Sequence, residues 1–125
     1  MDSASAARVR QRHHVQVHGD GPTLVYAHGF GCSQGMWDGL TPHFSASHRQ
    51  VLFDHAGAGR ADPQAFDPRR HAALEGYTED LLEVVRAVAP PEGVVLVAHS
   101  VSCSIGMVAA RREPAPVSYT HLAGD

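Results

Sequence analysis

Three short, nearly continuous apolar runs constrain the fold of this chain more than any other feature of its sequence. They occupy residues 23–27, 50–54 and 94–98. Strands that are buried on both faces, as in a parallel sheet, have this composition, whereas half-exposed strands alternate polar and apolar residues. The runs therefore predict the inner strands of a parallel sheet.

Predicted helical segments separate these strands. Residues 77–88 form the clearest helix, with Thr78 as its predicted N-cap. Its broad apolar stripe consists of Leu81, Leu82, Val84, Val85 and Val88. Residues 36–44 predict one or two helical turns, residues 100–112 a further helix, and the alternating residues 13–18 a half-buried strand. Strands that alternate with helices indicate an α/β fold, with a mostly parallel sheet and helices on both faces.

The composition fits one domain and excludes several classes of function. The chain has 125 residues and a formal charge of −3, and no cluster of Lys and Arg is long enough to engage a phosphate backbone. We therefore expect no nucleic-acid or membrane partner. The first residues lack the apolar segment of a secretory signal, and no run approaches the length of a membrane span. A cytoplasmic location is expected.

Ten histidines raise the alternative of a metal site. His14 and His18 are four residues apart, but they lie in the alternating stretch that predicts a strand, where this spacing does not make a helical ligand pair. No Cys, Asp or Glu gathers around the histidines at zinc spacing. The two cysteines, Cys32 and Cys103, do not predict a disulfide framework. We expect neither a metal nor a cofactor.

The strongest local motif is Ala98-His99-Ser100-Val101-Ser102, between the third apolar run and the last predicted helix. A serine on a sharp strand-to-helix turn presents its hydroxyl above the sheet as a nucleophile. The usual pattern is Gly-x-Ser-x-Gly, and small residues replace both glycines here. The alternative is a serine that caps an ordinary helix.

A second motif, His28-Gly29-Phe30-Gly31, follows the first apolar run. Serine hydrolases of this fold place half of their oxyanion hole at this point, and the residue after the nucleophile supplies the other half. The candidate N–H donors are therefore Phe30 and Val101, with Gly29 and Gly31 allowing the backbone to approach the substrate. A simple glycine-rich turn is the alternative for this motif alone.

Longer stretches resemble one family of α/β-hydrolases, which contains the bacterial RsbQ-type stress regulators and the plant karrikin and strigolactone receptors. The resemblance covers residues 13–114 and rests on residues 28–37, residues 51–54 and above all residues 99–107, His-Ser-Val-Ser-Cys-Ser-Ile-Gly-Met.

The resemblance implies Ser100 as the nucleophile, and Phe30 and Val101 as the oxyanion donors. It implies that His28 and His99 shape the site rather than act as its base. Asp54 matches a family aspartate at a strand end, which we expect to hold the following glycine loop.

The resemblance also predicts the organisation of the chain. Residues 1–12 are expected to be disordered, and residues 13–114 to be the N-terminal half of a hydrolase domain that is truncated after the nucleophile helix. Residues 117–122 resemble the translation of a transposon end used in sequencing libraries, and the family pattern is lost at about residue 115, so we expect residues 115–125 to be a non-native tail. The triad Asp and His and the helical lid would then lie beyond this chain, which alone would be inactive.

Three functions follow from these expectations. The first is a serine hydrolase of small esters or butenolide-like lactones that is coupled to stress signalling through a protein partner. In the bacterial branch of the family that partner is a sensor phosphatase, and in the plant branch it is ubiquitin-ligase machinery. The second is a non-catalytic sensor of a small hydrophobic ligand, and the third is a plain metabolic carboxylesterase.

Overall fold

The computed structural model describes residues 1–114 and 117–119 and has a five-stranded sheet in the order β1-β3-β2-β4-β5. The strands are β1 (Gln16–His18), β2 (Thr23–Ala27), β3 (Arg49–Leu52), β4 (Val94–Ala98) and β5 (Val117–Tyr119). Among the described strands, only the β1–β3 pair is antiparallel. This arrangement confirms the predicted mostly parallel sheet.

Helices cover the two faces of the sheet unequally. The α-helices are α1 (Ser3–Arg12), α2 (Leu74–Val88) and α3 (Val101–Arg112), and the short 3-10 helices are Gln34–Trp37, Thr41–Phe44, Pro63–Ala65 and Arg70–Ala72. All three α-helices contribute to one core with Val25, Val51 and Leu96. On the other face, Trp37 from a 3-10 helix packs with Leu24 and Tyr26. The α-helices therefore lie on the face formed by Val25, Val51 and Leu96, and 3-10 helices contact the other face.

The prediction of a disordered N-terminus is wrong, because α1 occupies residues expected to lack structure. Asp2 caps this helix by accepting the Ser5 N–H at 2.7 Å. Val9 lies in the main core, and Arg12 pairs with Glu83 of α2 at 2.8 Å. One buried valine and one cap are too weak a pattern to predict a helix, although together they hold α1 in place.

Helix α2 begins three residues earlier than predicted, and Thr78 is not its N-cap. Thr78 lies inside the helix, where its hydroxyl donates to the Leu74 carbonyl at 2.9 Å. The extra turn packs closely on the preceding 3-10 helix: a Cβ atom on Gly76 would lie 1.8 Å from the Arg70 carbonyl oxygen. Glycine permits this close approach, so a residue that usually weakens helices lies in the first turn.

Within the expected tail, residues 117–119 form β5, which pairs in parallel with β4 through the register Val94↔Val117 to Leu96↔Tyr119. These residues therefore do not lie outside the fold. An unpaired strand edge offers backbone donors and acceptors to any extended segment, so the pairing does not depend on the origin of these residues. The remainder of the predicted tail lies outside the described residues.

Among the described residues, no helix combines the length and apolar character that a membrane span requires.

Candidate active site

Ser100 occupies a sharp turn between β4 and α3. Its backbone has φ 58° and ψ −126°, and a residue with a side chain pays roughly 1–3 kcal/mol for such a conformation. An ordinary N-cap serine has an extended backbone, and its hydroxyl accepts a helix N–H. Ser100 shows neither feature, since its φ is positive and its side chain makes no capping hydrogen bond. The exposed Ser100 therefore has the geometry of a nucleophile elbow.

Small residues make room for this turn. Ala98 and Ser102, which flank Ser100 in the motif, are completely buried. From the neighbouring strand, Gly29 crosses close to the elbow: a Cβ atom on Gly29 would lie 3.3 Å from the Ser100 Cβ and 2.6 Å from His99 Nδ1. The glycine loop after β2 and the turn after β4 thus meet at the same edge of the sheet.

The glycine loop folds into a β-turn with Phe30 at its corner. The Cys32 N–H donates to the Gly29 carbonyl at 3.2 Å, and Gly31 has φ 81°, the left-handed conformation that a type II turn requires at its third residue. Within residues 1–114, the N–H groups of Phe30 and Val101 donate to no protein acceptor. Unpaired backbone donors close to a nucleophile are what an oxyanion hole requires.

The two histidines of the motifs do not hydrogen-bond to Ser100 in the part of the chain that is described. Both ring nitrogens of the buried His28 are engaged elsewhere, Nδ1 with the Gly29 carbonyl at 2.7 Å and Nε2 with the His55 N–H at 3.0 Å. Burial lowers the pKa of His28. His99 Nδ1 is buried and has no partner among residues 1–114. Both histidines lie beside the elbow, and neither is placed to act as its base.

Asp54 holds together the loops that follow β2 and β3. Its buried carboxylate accepts the Gln34 N–H at 2.8 Å and the Arg60 N–H at 3.0 Å. A Cβ atom on Gly59 would lie 2.6 Å from Oδ1, so the glycine loop wraps tightly around this side chain. Backbone donors occupy both oxygens, which gives Asp54 a structural role.

A buried serine–histidine pair lies beneath the site, and the sequence did not predict it. His55 Nε2 lies 2.7 Å from Ser102 Oγ, across 47 positions in sequence. Both residues are almost completely buried, so no substrate can reach this serine and the pair is not a second nucleophile. Its only sequence signal was a histidine directly after the strand-end Asp54, and no periodic pattern connects that histidine with Ser102.

A surface groove lies near the candidate site, but Ser100 does not line it. A polar groove of about 400 Å³ lies beside Asp54, and its lining includes His14, Gln34, Asp38 and Arg60 but not Ser100. Residues 1–114 contain no cluster of three or more His, Cys, Asp or Glu side chains that would hold a metal ion. Backbone geometry, rather than a cavity, therefore locates the candidate site at Ser100.

The known proteins that this chain is similar to indicate one family. The family model described as the alpha/beta hydrolase family matches residues 24–123. The chain is 43% identical over 108 residues to a probable esterase of Oryza sativa subsp. japonica, and 38% identical over 107 residues to a karrikin insensitive 2 receptor of Petunia hybrida. It is also 38% identical over 111 residues to a strigolactone esterase of Arabidopsis thaliana. Karrikin and strigolactone proteins are thus among its relatives, as the sequence resemblance indicated.

The coverage of these matches is uneven. The alignments include 85% to 88% of this chain but only 39% to 41% of the three relatives, so the chain spans about two fifths of their length. A solved hydrolase from Oleispira antarctica superposes with a TM-score of 0.88 at 31% identity, over 94% of this chain and 43% of that protein. An enzyme described as degrading N-acyl homoserine lactones superposes with a TM-score of 0.74 at 25% identity, over 88% of this chain and 41% of that protein.

Proposed function

Because this chain belongs to the alpha/beta hydrolase family, we propose that it carries the nucleophile and the oxyanion hole of a serine hydrolase. Ser100 is the nucleophile, and the N–H groups of Phe30 and Val101 form the oxyanion hole. The observation that carries this proposal is the strained backbone of the exposed Ser100. Such strain persists only where the surrounding fold enforces it, and it clusters at functional sites.

The proposed reaction is acyl transfer to Ser100. Its Oγ attacks the carbonyl carbon of an ester or lactone while a general base takes the hydroxyl proton. The carbonyl oxygen becomes negative and is stabilised by the Phe30 and Val101 N–H groups. The C–O bond to the leaving alcohol then breaks, and the protonated base returns its proton to the departing alkoxide. Water releases the acyl group by the same steps and restores Ser100.

We propose that the general base and the aspartate that orients it lie outside the described residues, in a longer gene product. In this fold the triad follows the order Ser, Asp, His along the chain. The relatives are more than twice as long as the segment matched here, which leaves ample chain for both groups and for a lid. Accordingly, we propose that Ser100 becomes a competent nucleophile only in a longer gene product.

The substrates we propose are small esters and butenolide-like lactones, with hydrolysis coupled to signalling in the cytoplasm. The names of the relatives support this class, since they include a strigolactone esterase and a karrikin receptor, and one structural neighbour degrades a lactone. The partner we propose is a signalling protein such as a sensor phosphatase. Because some relatives are named as receptors, a ligand sensor in which hydrolysis is dispensable is the second candidate.

The first experiment is to sequence the source gene past the codon for Pro114 and to express the longest open frame. That protein should hydrolyse short acyl esters and a synthetic butenolide. Ser100→Ala should lower kcat/KM by about 10³-fold or more, since catalysis depends on the nucleophile. Ser104→Ala removes an exposed hydroxyl one turn further along α3 and should leave the rate unchanged.

Different outcomes separate the candidate functions. Hydrolysis that persists in Ser100→Ala would rule out this nucleophile. Ligand-dependent binding of a signalling protein that survives Ser100→Ala would favour the sensor. A broad preference for acyl esters without any effect on a partner would favour a plain carboxylesterase.

A further inference from the structure

Two buried side chains converge on a single carbonyl oxygen at the start of the glycine loop. The Ser102 hydroxyl lies 2.5 Å from the His28 carbonyl oxygen, and His55 Nε2 lies 2.9 Å from the same atom. His55 also contacts His28 through its backbone, because its N–H donates to His28 Nε2 at 3.0 Å. We call this arrangement of His28, His55 and Ser102 the carbonyl clasp.

The distances determine where the protons of the clasp lie. A carbonyl oxygen only accepts hydrogen bonds, so the two groups that approach the His28 carbonyl must both donate. The Ser102 hydroxyl therefore points its proton at this carbonyl, and His55 carries its proton on Nε2. That proton also lies within reach of Ser102 Oγ, 2.7 Å from the ring nitrogen. The clasp is complete only with a neutral His55 in the Nε2–H tautomer.

The other side of the His55 ring indicates what this residue contributes. Its Nδ1 is buried and has no hydrogen-bond partner among the described residues. A buried acceptor without a partner costs about 1–3 kcal/mol, which an apolar side chain of similar size would avoid. Because the unpaired Nδ1 destabilises the fold, the hydrogen bond that Nε2 donates is what a histidine offers at this position and an apolar side chain does not.

The clasped carbonyl lies directly before the oxyanion loop. It belongs to the peptide that joins His28 to Gly29, and Gly29 lies against Ser100 while its own carbonyl closes the turn that carries Phe30. Rotation of this peptide would move Gly29 and redirect the Phe30 N–H. Displacements of about 1 Å at a reacting centre are enough to lower rates by about 10²-fold.

We infer that His55 and Ser102 are positioning residues of the oxyanion loop, which fix the His28–Gly29 peptide and thereby the direction of the Phe30 N–H. Ser102 has a second connection to the site, because it lies in the first turn of the helix that begins after Ser100. The clasp thus joins the ends of β2 and β3 to the nucleophile helix. Its effect on catalysis rests on the proposed function, whereas its effect on the loop does not.

The test compares His55→Leu, His55→Gln and Ser102→Ala in the full-length protein. Leucine keeps the apolar volume and removes the donor, whereas the glutamine amide can donate from the place of Nε2. We expect His55→Leu and Ser102→Ala to lower kcat by about 10-fold with KM within about twofold, as for loss of an interaction made in the transition state. His55→Gln should restore most of the rate.

A second readout does not require hydrolysis. Amide hydrogen exchange at Cys32 reports the turn, because its N–H is bonded to the Gly29 carbonyl. His55→Leu should accelerate exchange at Cys32 by about 10-fold relative to the amides of α2, and His55→Gln should not. Val85→Ala, a core change in α2, is the control for general destabilisation and should accelerate both regions together.

The experiment distinguishes a failure of the positioning role from a failure of the proposed hydrolase function. If His55→Leu and Ser102→Ala leave the Cys32 exchange ratio and kcat unchanged, the positioning role is wrong. Exchange that rises equally in the turn and in α2 would also overturn it, because His55 would then act only through global stability. A wild-type protein without hydrolase activity would count against the proposed function, and the exchange ratio would still decide whether the clasp holds the loop.

Discussion

Gly29 packs so closely on the elbow that a methyl group there would lie 3.3 Å from the Ser100 Cβ and 2.6 Å from His99 Nδ1. The two residues follow neighbouring parallel strands, whose carboxyl ends meet at one edge of the sheet. The space around the candidate nucleophile is therefore controlled by a residue more than seventy positions away in sequence.

Gly29→Ala should disturb the site more than the fold. Because the new methyl group must displace the His99 ring, we expect a loss of about 1–3 kcal/mol in unfolding free energy and at least a tenfold fall in kcat/KM for an acyl ester. Gly39→Ala is the matched control, since nothing lies within 4 Å of its Cβ position. Equal activity in the two variants would show that the contact does not shape the site.

Ser100→Gly should stabilise the protein while removing the nucleophile. Glycine adopts the φ 58°, ψ −126° conformation more easily than serine, so relief of strain should raise the unfolding free energy by about 1 kcal/mol. Chemical denaturation measures this change. Ser104→Gly, inside α3, should instead lose roughly 1 kcal/mol. A destabilised Ser100→Gly variant would contradict a strained elbow.

Asp54→Asn should destabilise the two loops that the carboxylate holds. One acceptor oxygen becomes an NH₂ group that faces backbone donors, so at least one N–H of Gln34 or Arg60 loses its acceptor on the buried Asp54 side chain. A loss of about 1–3 kcal/mol is expected from the unpaired groups, measured by urea unfolding. Asp38→Asn, at an exposed position in the same groove, should change stability by less than about 0.5 kcal/mol.

Mild acid should destabilise the fold through its buried histidines. Burial lowers the pKa of His55 to about 3, and it also lowers the pKa values of His13 and His28. The unfolded chain binds these protons near pH 6.5 and the native chain does not, so stability is complete above pH 6.5 and is lost as the pH falls toward 3. His55 alone contributes a slope of up to about 1.4 kcal/mol per pH unit.

Denaturation at pH 7, 6 and 5 checks the direction of this effect. His55→Gln removes one of the three titrating groups, so its stability should fall less steeply with acid than that of the wild type. A wild-type unfolding free energy that stays constant from pH 7 to 5 would contradict the buried neutral histidines.

The sequence predicted an element accurately where a local pattern of apolar or turn residues defines it. The bounds of β2 and β4 were predicted to the residue, because apolar runs between turn residues determine them. Helix α1 was missed, since its only fully buried side chain is Val9 and one residue shows no periodicity. Thr78 was wrongly predicted as the N-cap because threonine favours that position in any sequence. The extra turn of α2 that precedes it depends on the close approach of Gly76 to Arg70, which is a tertiary contact.

In the candidate site, the sharp turn at Ser100 and the turn of the glycine loop were predicted because short motifs impose their local backbone requirements on the sequence. The roles of these residues stay predictions. The clasp of His55 and Ser102 could not be predicted, since it exists only after two distant segments pack together. Polar contacts of this kind follow from tertiary structure and leave no periodic signal in either segment.

The strand order has a consequence for how the chain folds as it is made. The central strand β2 pairs with β4 through contacts such as Val25 with Leu96, which joins an early segment to a late one. Contacts at such separation are slow to form, because a long loop must close before they are made. During synthesis, β2 can pair with β3 early, but its other edge stays unpaired until β4 leaves the ribosome. In that interval the open edge of β2 is a site for misassociation with other extended segments.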